Sequence, residues 1–407
     1  MPLPRCARPL LLAAAGCMLG ACQIATPSVP GSPSAAIGSP PMTLPSSTPN
    51  ATPPATVHPG SSLRGIELLV PEGTGGPLEP AFSPATTTYT FDVDSDIAAV
   101  GVVPAAEDPG AVRIAVGGAG VSSGQASMVS VGVGSTRVDI EVSAIDGSPA
   151  TTYTIDVERR DMSSVIARFR KLSFTDPATG ETMGYRLFVP DGYDPSRSYP
   201  LVLFLHGAGE RGSDNEAQLT ANEGATIWAT PEEQAKHPAF VLAPQSGLTS
   251  SKQGWTTLAS HGQNDPFRPQ KELITAHDIL ELVRSQFNID PRRIYATGVS
   301  QGGFGTFAIA IAHPDEFAAI VPICGGGDPA KLATISKMPI WIFHAAKDPT
   351  VRVGFSRNSV AALKKAGGHP RYTEYPASAY FYPTAHASWT STYANPEMRD
   401  WVFAQSR

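Results

Sequence analysis

Residues 293–305 have the sequence RIYATGVSQGGFG, and this stretch decides the fold of the second half of the chain. The apolar run RIYAT is typical of a buried strand, and the residues from Gly303 onward favour a helix. Between them lies a G-x-S-x-G motif with Ser300 at its centre. Gly298 and Gly302 leave room for a sharp turn that exposes the serine hydroxyl at the helix N-terminus. The motif therefore predicts a strand–turn–helix unit with Ser300 as a candidate nucleophile.

A second G-x-S-x-G match occurs at residues 120–124, GVSSG, with Ser122 at its centre. This match lies among short alternating strands, and no helical pattern follows it. A nucleophilic serine needs the strand-to-helix turn as well as the two glycines. We therefore interpret Ser122 as a turn residue and retain Ser300.

Residues 164–407 alternate between strand-like and helix-like segments. The strand-like runs are apolar on both faces, as expected for a parallel sheet covered on both sides; they include PLVLFLH, AFVLAPQ, RIYATGVS, AAIVPIC and MPIWIFH. The helical patterns include QKELITAHDILELVRSQF and SRNSVAALKKAGG, the second of which ends in glycines. This order predicts an α/β fold with a doubly wound, mostly parallel sheet.

In a fold of this kind the order along the chain is nucleophile, acid, histidine. Asp348 follows the strand MPIWIFH and is the expected acid, with Asp328 in the loop GGGDP as the alternative. Beyond Asp348 the chain contains two histidines, His369 and His386. His369 lies between a helix end and a short strand, whereas His386 lies in a long loop after the last strand. We expect His386 to be the general base.

The strand PLVLFLH leads directly into HGAGERG, whose glycines allow the main chain to approach a substrate. The backbone N–H groups of Ala208 and Gln301 are the expected donors to a developing oxyanion. We interpret His206 as a structural hydrogen-bonding residue, since it precedes Ser300. Glu210 and Arg211 either hold this loop by charged contacts or form a solvated pair.

Trp255 and Trp389 are candidates for lining the substrate pocket, and packing within the core is the alternative for both. The predicted chemistry requires no metal and no cofactor. The histidines are not clustered at metal-ligand spacing, and no glycine-rich phosphate loop occurs. Every predicted catalytic element lies beyond Ser164, so a fragment beginning there is expected to retain activity on small substrates.

Residues 61–160 have a different pattern, in which apolar side chains alternate with polar ones along TTYTFDV, TRVDIEVSA and TTYTIDV. Period-two strands separated by turn residues predict a small all-β sandwich. The phrases FSPATTTYTFDV and DGSPATTYTIDV resemble those of cadherin-like β-sandwich domains. This resemblance implies a spacer or binding module, with contacts to the cell surface or to carbohydrate as its candidate role.

The first 22 residues contain Arg5, Arg8 and then a short apolar run that is typical of an export signal peptide. The residues before Cys22 resemble a bacterial lipobox, which predicts acylation of this cysteine; Cys17 is a weaker match. Residues 23–60 are rich in Pro, Ser and Thr and predict a disordered linker. We expect an exported protein whose contact with the membrane is a lipid anchor at Cys22.

The 407 residues carry a formal net charge of −6, and only 16% of them are charged. No basic run occurs that could hold a phosphate backbone, which argues against a nucleic-acid partner. Of the four cysteines only Cys324 lies outside the first 22 residues. The fold is therefore expected not to depend on disulfides.

Four motifs in order, LFLHGAGERG, GVSQGGFG, FHAAKDPTV and HASWTSTYANPEMRDWVFAQ, together resemble the α/β-hydrolase carboxylesterases of the phospholipase/carboxylesterase and polyhydroxybutyrate-depolymerase-like group. The resemblance implies a Ser300, Asp348, His386 triad and an oxyanion hole at Ala208 and Gln301. The chain departs from the usual FHGxxD pattern by having Ala345 in place of glycine.

Three hypotheses for function remain. The first is a serine carboxylic ester hydrolase acting on small or polymeric substrates, such as feruloyl, acetyl or short-acyl esters or a polyester. The second is a serine peptidase of the prolyl-oligopeptidase type, although a sandwich of this size cannot supply the propeller of those enzymes. The third is a binding lipoprotein whose hydrolase domain is inert.

Overall fold

The computed structural model describes residues 56–58, 60–247, 254–257 and 265–407. The predicted signal peptide, Cys22 and almost all of the predicted linker lie outside these residues. Within the described part of the chain, no helix combines the length and the apolar character that a membrane span needs.

The first domain is a β-sandwich of eight strands: β1 (Leu63–Leu69), β2 (Thr88–Val93), β3 (Ala99–Ala106), β4 (Val112–Val116), β5 (Ala119–Val121), β6 (Ser127–Ser130), β7 (Gly134–Ala144) and β8 (Thr151–Arg159). One sheet has the order β1-β3-β6 and the other the order β2-β8-β7-β4-β5. The β2–β8 pair is parallel and the other pairs are antiparallel. The predicted sandwich is therefore present.

The alternating sequence pattern of the sandwich corresponds to alternating burial. Along β2, Tyr89, Phe91 and Val93 are buried while the residues between them are exposed. Successive side chains of a strand point to opposite faces, so one set fills the space between the sheets. Tyr153 at the centre of this core is fully buried, and its hydroxyl accepts the Leu63 N–H and donates to a backbone carbonyl.

The described residues of the second domain form eight further strands: β9 (Arg170–Thr175), β10 (Thr182–Phe188), β11 (Tyr199–Leu205), β12 (Phe240–Pro244), β13 (Ile289–Val299), β14 (Ala319–Ile323), β15 (Trp341–Ala345) and β16 (Arg371–Tyr375). Its helices are α1 (Ser163–Ala167), α2 (Ala217–Thr220), α3 (Pro231–Lys236), α4 (Lys271–Gln286), α5 (Gln301–Ala312), α6 (Gly354–Lys365), α7 (Trp389–Ala394) and α8 (Pro396–Phe403).

These strands form one sheet in the order β16-β15-β14-β13-β11-β12-β10-β9. From β12 to β16 the neighbours are parallel, and β9 and β10 add an antiparallel edge. All seven residues of β11 are buried, because the sheet is covered on both faces. The carboxyl ends of β11, β13 and β15 therefore share one edge of the sheet, where ligands bind in open α/β folds.

The two domains meet at a cluster of charged side chains. Ser95, in the turn after β2, donates its N–H and its hydroxyl to the buried carboxylate of Glu223, at 3.0 and 2.6 Å. Arg160 forms an ion pair with Asp94 at 2.8 Å and lies 4.0 Å from Glu223. Burial, followed by the negative charge of Glu223, raises the pKa of Asp94 to about 6, and the same two causes raise the pKa of Asp96.

The raised pKa of Asp96 predicts how stability depends on pH. A carboxyl that holds its proton more tightly when folded stabilises the protein fully below the unfolded pKa of about 3.9 and progressively less as the pH rises. Asp96→Asn is a neutral replacement that removes this dependence while Asp94 and Glu223 still face position 96. We expect Asp96→Asn to raise the melting temperature by several °C at pH 8 and not at pH 4. A lower melting temperature at pH 8 would contradict this account.

Candidate active site

Ser300 lies at the turn between β13 and α5, in a backbone conformation that side chains other than glycine rarely adopt. Its φ is +55° and its ψ is −117°. The turn is held by the Ser300 N–H, which donates to the carbonyl of Ile323 at 3.0 Å and lies 3.2 Å from Cys324 Sγ. Such strain persists only where surrounding contacts impose it, and it is concentrated at functional sites.

The glycines on either side of Ser300 are required by close backbone packing. A Cβ atom on Gly302 would lie 1.8 Å from the carbonyl oxygen of Leu205, the last residue of β11. A Cβ on Gly298 would lie 2.5 Å from the Gly302 carbonyl oxygen. The motif therefore corresponds to a turn in which α5 starts directly against the end of the central strand.

Gly302→Ala tests this packing. The clash with Leu205 must displace backbone, so we expect the free energy of unfolding to fall by about 1–3 kcal/mol. Reactions that depend on the Ser300 hydroxyl should slow by about 10²-fold, because Ser300 moves with the turn. Gly120→Ala in the second G-x-S-x-G match is the control, since a Cβ there meets no atom within 4 Å. Equal effects at the two positions in urea unfolding and activity assays would refute the packing argument.

The structure brings the predicted histidine and acid to Ser300 from separate loops. His386 Nε2 lies 3.0 Å from Ser300 Oγ, and His386 Nδ1 lies 2.7 Å from Asp348 Oδ2. An ionised carboxylate only accepts hydrogen bonds, so Nδ1 carries the proton and Nε2 is free to accept the Ser300 hydroxyl. This is the geometry in which a histidine can act as a general base toward a serine.

The Asp348 side chain is buried, and its environment nevertheless favours the carboxylate. Burial alone would raise its pKa, but hydrogen bonds from His344 and His386 and from the Val351 N–H lower the pKa well below its usual range. Oδ1 also accepts the N–H of Thr350 at 2.8 Å. Asp348 therefore stays negatively charged beside His386.

His344 is a functional neighbour that the sequence argument did not select. It is fully buried in β15, and its Nε2 lies 3.3 Å from Asp348 Oδ2 and 2.9 Å from the Val351 carbonyl oxygen. Its Nδ1 lies 2.8 Å from the hydroxyl of Ser356. The signal available in the sequence was its position four residues before Asp348, at the end of a strand.

The competing candidates lie in other environments. The Asp328 carboxylate is bonded within its own turn, to the Ala330 N–H and to Lys331. His369 is exposed beside the start of β16. Ser122 is exposed in the turn after β5, where no helix follows. None of these three is among the hydrogen-bond partners of Ser300, His386 or Asp348 in the described residues.

His206, the first residue after β11, stabilises the loop that follows this strand. This histidine is fully buried, its Nδ1 donates to the Gly207 carbonyl at 2.6 Å, and its Nε2 accepts the Ser246 N–H at 3.0 Å. Burial lowers the pKa of His206 to about 4. His206 is therefore neutral near pH 7 and contributes structure to the loop that begins with Ala208.

Ala208 begins the 3₁₀ turn Ala208–Glu210, and Gln301 is the first residue of α5, at the positive end of the helix dipole. Arg211 donates to the Ala208 carbonyl at 2.8 Å, which holds this turn through a charged contact. Burial raises the pKa of Glu210, whose Oε2 lies 4.0 Å from His206 Nδ1. The turn after β11 thus approaches the start of α5 at Ser300, since a Cβ on Gly207 would lie 3.6 Å from the Ser300 Cβ.

The two tryptophans occupy different environments. Trp255 is fully buried, and its Nε1 donates to the His206 carbonyl at 2.8 Å. It supports the loop from within the core, so the suggestion that it lines a substrate pocket is replaced by a structural role. Trp389 is partly exposed, and its ring lies 5.1 Å from the His386 ring in an edge-to-face arrangement.

Two sets of potential metal ligands occur in the described residues, with donor atoms within 4.8 Å of one another. One is Cys324 with Asp348 and His386. The other is His277, His313 and Glu316, but the two imidazole rings are stacked 3.6 Å apart and nearly parallel. Nitrogen lone pairs lie in the ring planes, so in this arrangement they do not converge on one ion. Glu316 is already paired with His277 and Arg284.

Ser300 lies at a strained turn between β13, the fifth strand of this domain along the chain, and α5. A serine at this place in a sheet of this strand order defines an α/β-hydrolase fold, as the sequence predicted. The chain belongs to the Esterase family, whose family model matches residues 177–401. Residues 62–160 match the model of the cadherin-like beta sandwich domain, which confirms the resemblance seen in the sequence.

Several known proteins are similar to this chain. A thermostable esterase of known structure is 35% identical, with a TM-score of 0.58 over 79% of this chain and 99% of that one. Poly(3-hydroxyalkanoate) depolymerase C of Paucimonas lemoignei is 34% identical over 36% of this chain and 31% of its own length. Feruloyl esterase C of Emericella nidulans is 32% identical over 35% of this chain. The chain spans less than half the length of these two curated relatives.

Proposed function

We propose that this protein is a serine carboxylic ester hydrolase in which Ser300, His386 and Asp348 form the catalytic triad. The observation that carries the proposal is the continuous hydrogen-bonded arrangement of the three side chains, 3.0 Å from Ser300 to His386 and 2.7 Å from His386 to Asp348. Membership of the Esterase family supports the same class of reaction.

In the proposed mechanism, His386 Nε2 takes the Ser300 proton as the serine oxygen attacks the ester carbonyl carbon. The carbonyl π electrons move to oxygen, and the N–H groups of Ala208 and Gln301 stabilise the resulting oxyanion. The tetrahedral intermediate then collapses, and His386 returns the proton to the leaving alcohol. Water, activated by the same histidine, hydrolyses the acyl-enzyme and regenerates Ser300. Asp348 holds the imidazole in the tautomer that this cycle needs.

The proposed substrates are feruloyl, acetyl or other short-acyl esters of a polysaccharide, or an aliphatic polyester. Relatives named feruloyl esterase and poly(3-hydroxyalkanoate) depolymerase support this range. Trp389 supports it locally, because its partly exposed ring beside His386 is placed to contact an acyl or alcohol group. The shared chemistry is an uncharged carboxylic ester.

Two enzyme assays separate this proposal from its alternatives. Purified protein should hydrolyse p-nitrophenyl acetate and not a Gly-Pro anilide, with Ser300→Ala as the blank. Cleavage of the anilide would favour the peptidase hypothesis. Failure to cleave either compound would favour a binding protein with an inert hydrolase domain. A panel of feruloyl, acetyl and polyester substrates then ranks the ester classes by kcat/KM.

We also propose that the protein is exported and anchored through an acylated Cys22. The apolar N-terminal run and the residues before Cys22 support this proposal. Metabolic labelling with palmitate should mark the wild-type protein and Cys17→Ser but not Cys22→Ser. Label retained in Cys22→Ser would overturn the assignment.

A further inference from the structure

The catalytic histidine lies in a segment that both domains hold. This segment, residues 376–395, follows β16 and contains His386 and α7; we call it the His386 segment. On the α/β side, the Thr392 hydroxyl bonds the Tyr375 hydroxyl at 3.1 Å, and the Tyr393 hydroxyl bonds the Thr297 hydroxyl at 3.0 Å. Thr297 is in β13, three residues before Ser300. These bonds fix one side of α7.

The sandwich holds the other side of the same segment. The carboxyl group of Asp96, in the turn between β2 and β3, lies beside the hydroxyl of Thr390, the second residue of α7. Near the start of the segment, the Tyr380 hydroxyl lies 3.5 Å from Met128 Sδ of β6. Sandwich residues thus contact the chain both before and after His386.

The sandwich turn is itself fixed in place. Glu223 of the α/β domain is 3% exposed, and its carboxylate accepts both the N–H and the hydroxyl of Ser95. The Ser95 carbonyl in turn accepts the guanidinium of Arg159 at the end of β8. Asp96 therefore meets Thr390 from a turn that is bonded on both sides.

From these contacts we propose that the sandwich positions the catalytic base: the turn at residues 94–98 holds α7 through Asp96 and Thr390, and thereby sets the orientation of His386 toward Ser300. This inference rests on the proposed triad. His386 lies three residues before the first residue of α7, and the Trp389 ring packs edge-on against it, so a shift of α7 is transmitted to the imidazole. The sandwich is then a part of the active-site support rather than a spacer, and a fragment beginning at Ser164 would lack that support.

The test uses the full chain and p-nitrophenyl acetate. Asp96→Ala and Thr390→Val each remove one partner of the contact, and kcat should fall about tenfold while KM changes by less than twofold, because a misplaced base slows chemistry without altering binding. Asp96→Asn retains a hydrogen-bonding group and should restore kcat. Asp108→Ala, an exposed carboxylate in another turn of the sandwich, should leave kcat unchanged.

A second readout is the rate at which diethyl 4-nitrophenyl phosphate labels Ser300, which should fall in parallel with kcat. If Asp96→Ala does not fold, Met128→Ala and Thr390→Val supply the result, since the Met128 side chain is 45% exposed and the Thr390 replacement conserves shape. Wild-type kcat and labelling rates in Thr390→Val and Asp96→Ala (or Met128→Ala in its place), with Ser300→Ala inactive, would overturn this inference and leave the triad intact. An active Ser300→Ala would instead overturn the proposed function itself.

Discussion

Ser300→Ala is expected to abolish ester hydrolysis, with a loss of kcat on the order of 10⁴ or more. The reason is that the nucleophile and its base act as a unit, so removing the hydroxyl leaves only the oxyanion donors and substrate binding. The small alanine side chain should leave the fold unchanged, and circular dichroism and thermal unfolding check that point. Initial rates on p-nitrophenyl acetate give the loss.

Ser122→Ala is the matched control for this experiment. It changes the central serine of the second G-x-S-x-G match, which is exposed in a turn of the sandwich, and its activity should equal that of the wild type. Retained activity in Ser300→Ala, or a loss confined to Ser122→Ala, would show that the nucleophile has been assigned to the wrong residue.

His386→Ala is expected to remove most of the rate and also the pH dependence of kcat/KM. A general base must be neutral to accept the Ser300 proton, so the wild-type rate should rise between about pH 5 and pH 8 and then level off. The pKa of Asp348 lies well below its usual range, so its carboxylate stays ionised across this interval. Asp348 therefore adds no second pH-dependent change to kcat/KM. A pH series of kcat/KM measures both effects.

Three further variants test the assignment of the base and of the acid. His369→Ala should retain the rise of kcat/KM with pH, because this side chain is exposed and is not a hydrogen-bond partner of His386 in the described residues. Asp348→Asn should lower kcat by roughly 10⁴, since an amide would favour the wrong tautomer of His386. If Asp328→Asn lowers kcat and Asp348→Asn leaves it unchanged, the triad acid is Asp328 and the assignment of Asp348 is wrong.

Local sequence patterns predicted much of this molecule. Alternation along β2 indicated which side chains fill the sandwich, since a strand presents every second residue to one face. The spacing of Gly298, Ser300 and Gly302 predicted the strand-to-helix turn, since only glycine at position 302 tolerates the approach of Leu205. Chain order then selected Asp348 and His386, both of which lie in hydrogen-bond contact with the predicted partner.

Other properties depend on contacts between residues distant in the chain, and no local pattern encodes them. Whether a tryptophan is exposed is one example: Trp255 packs in the hydrophobic core and donates its indole N–H to the His206 carbonyl, whereas Trp389 is partly exposed beside His386. His344 acquires its place next to Asp348 only when the loop after β15 folds back over it.

The sequence by itself determined the two domain types, the nucleophile turn and the candidate triad, because strand alternation, glycine geometry and chain order act over a few neighbouring residues. The tertiary structure alone decided that the sandwich contacts the segment that carries His386. Glu223 accepts bonds from Ser95, 128 positions earlier in the chain, and the burial and mutual repulsion that raise the pKa of Asp96 arise only after the domains dock. Such environments form when surfaces distant in the chain pack together, and the residue types next to Asp96 or Glu223 in the sequence do not specify that packing.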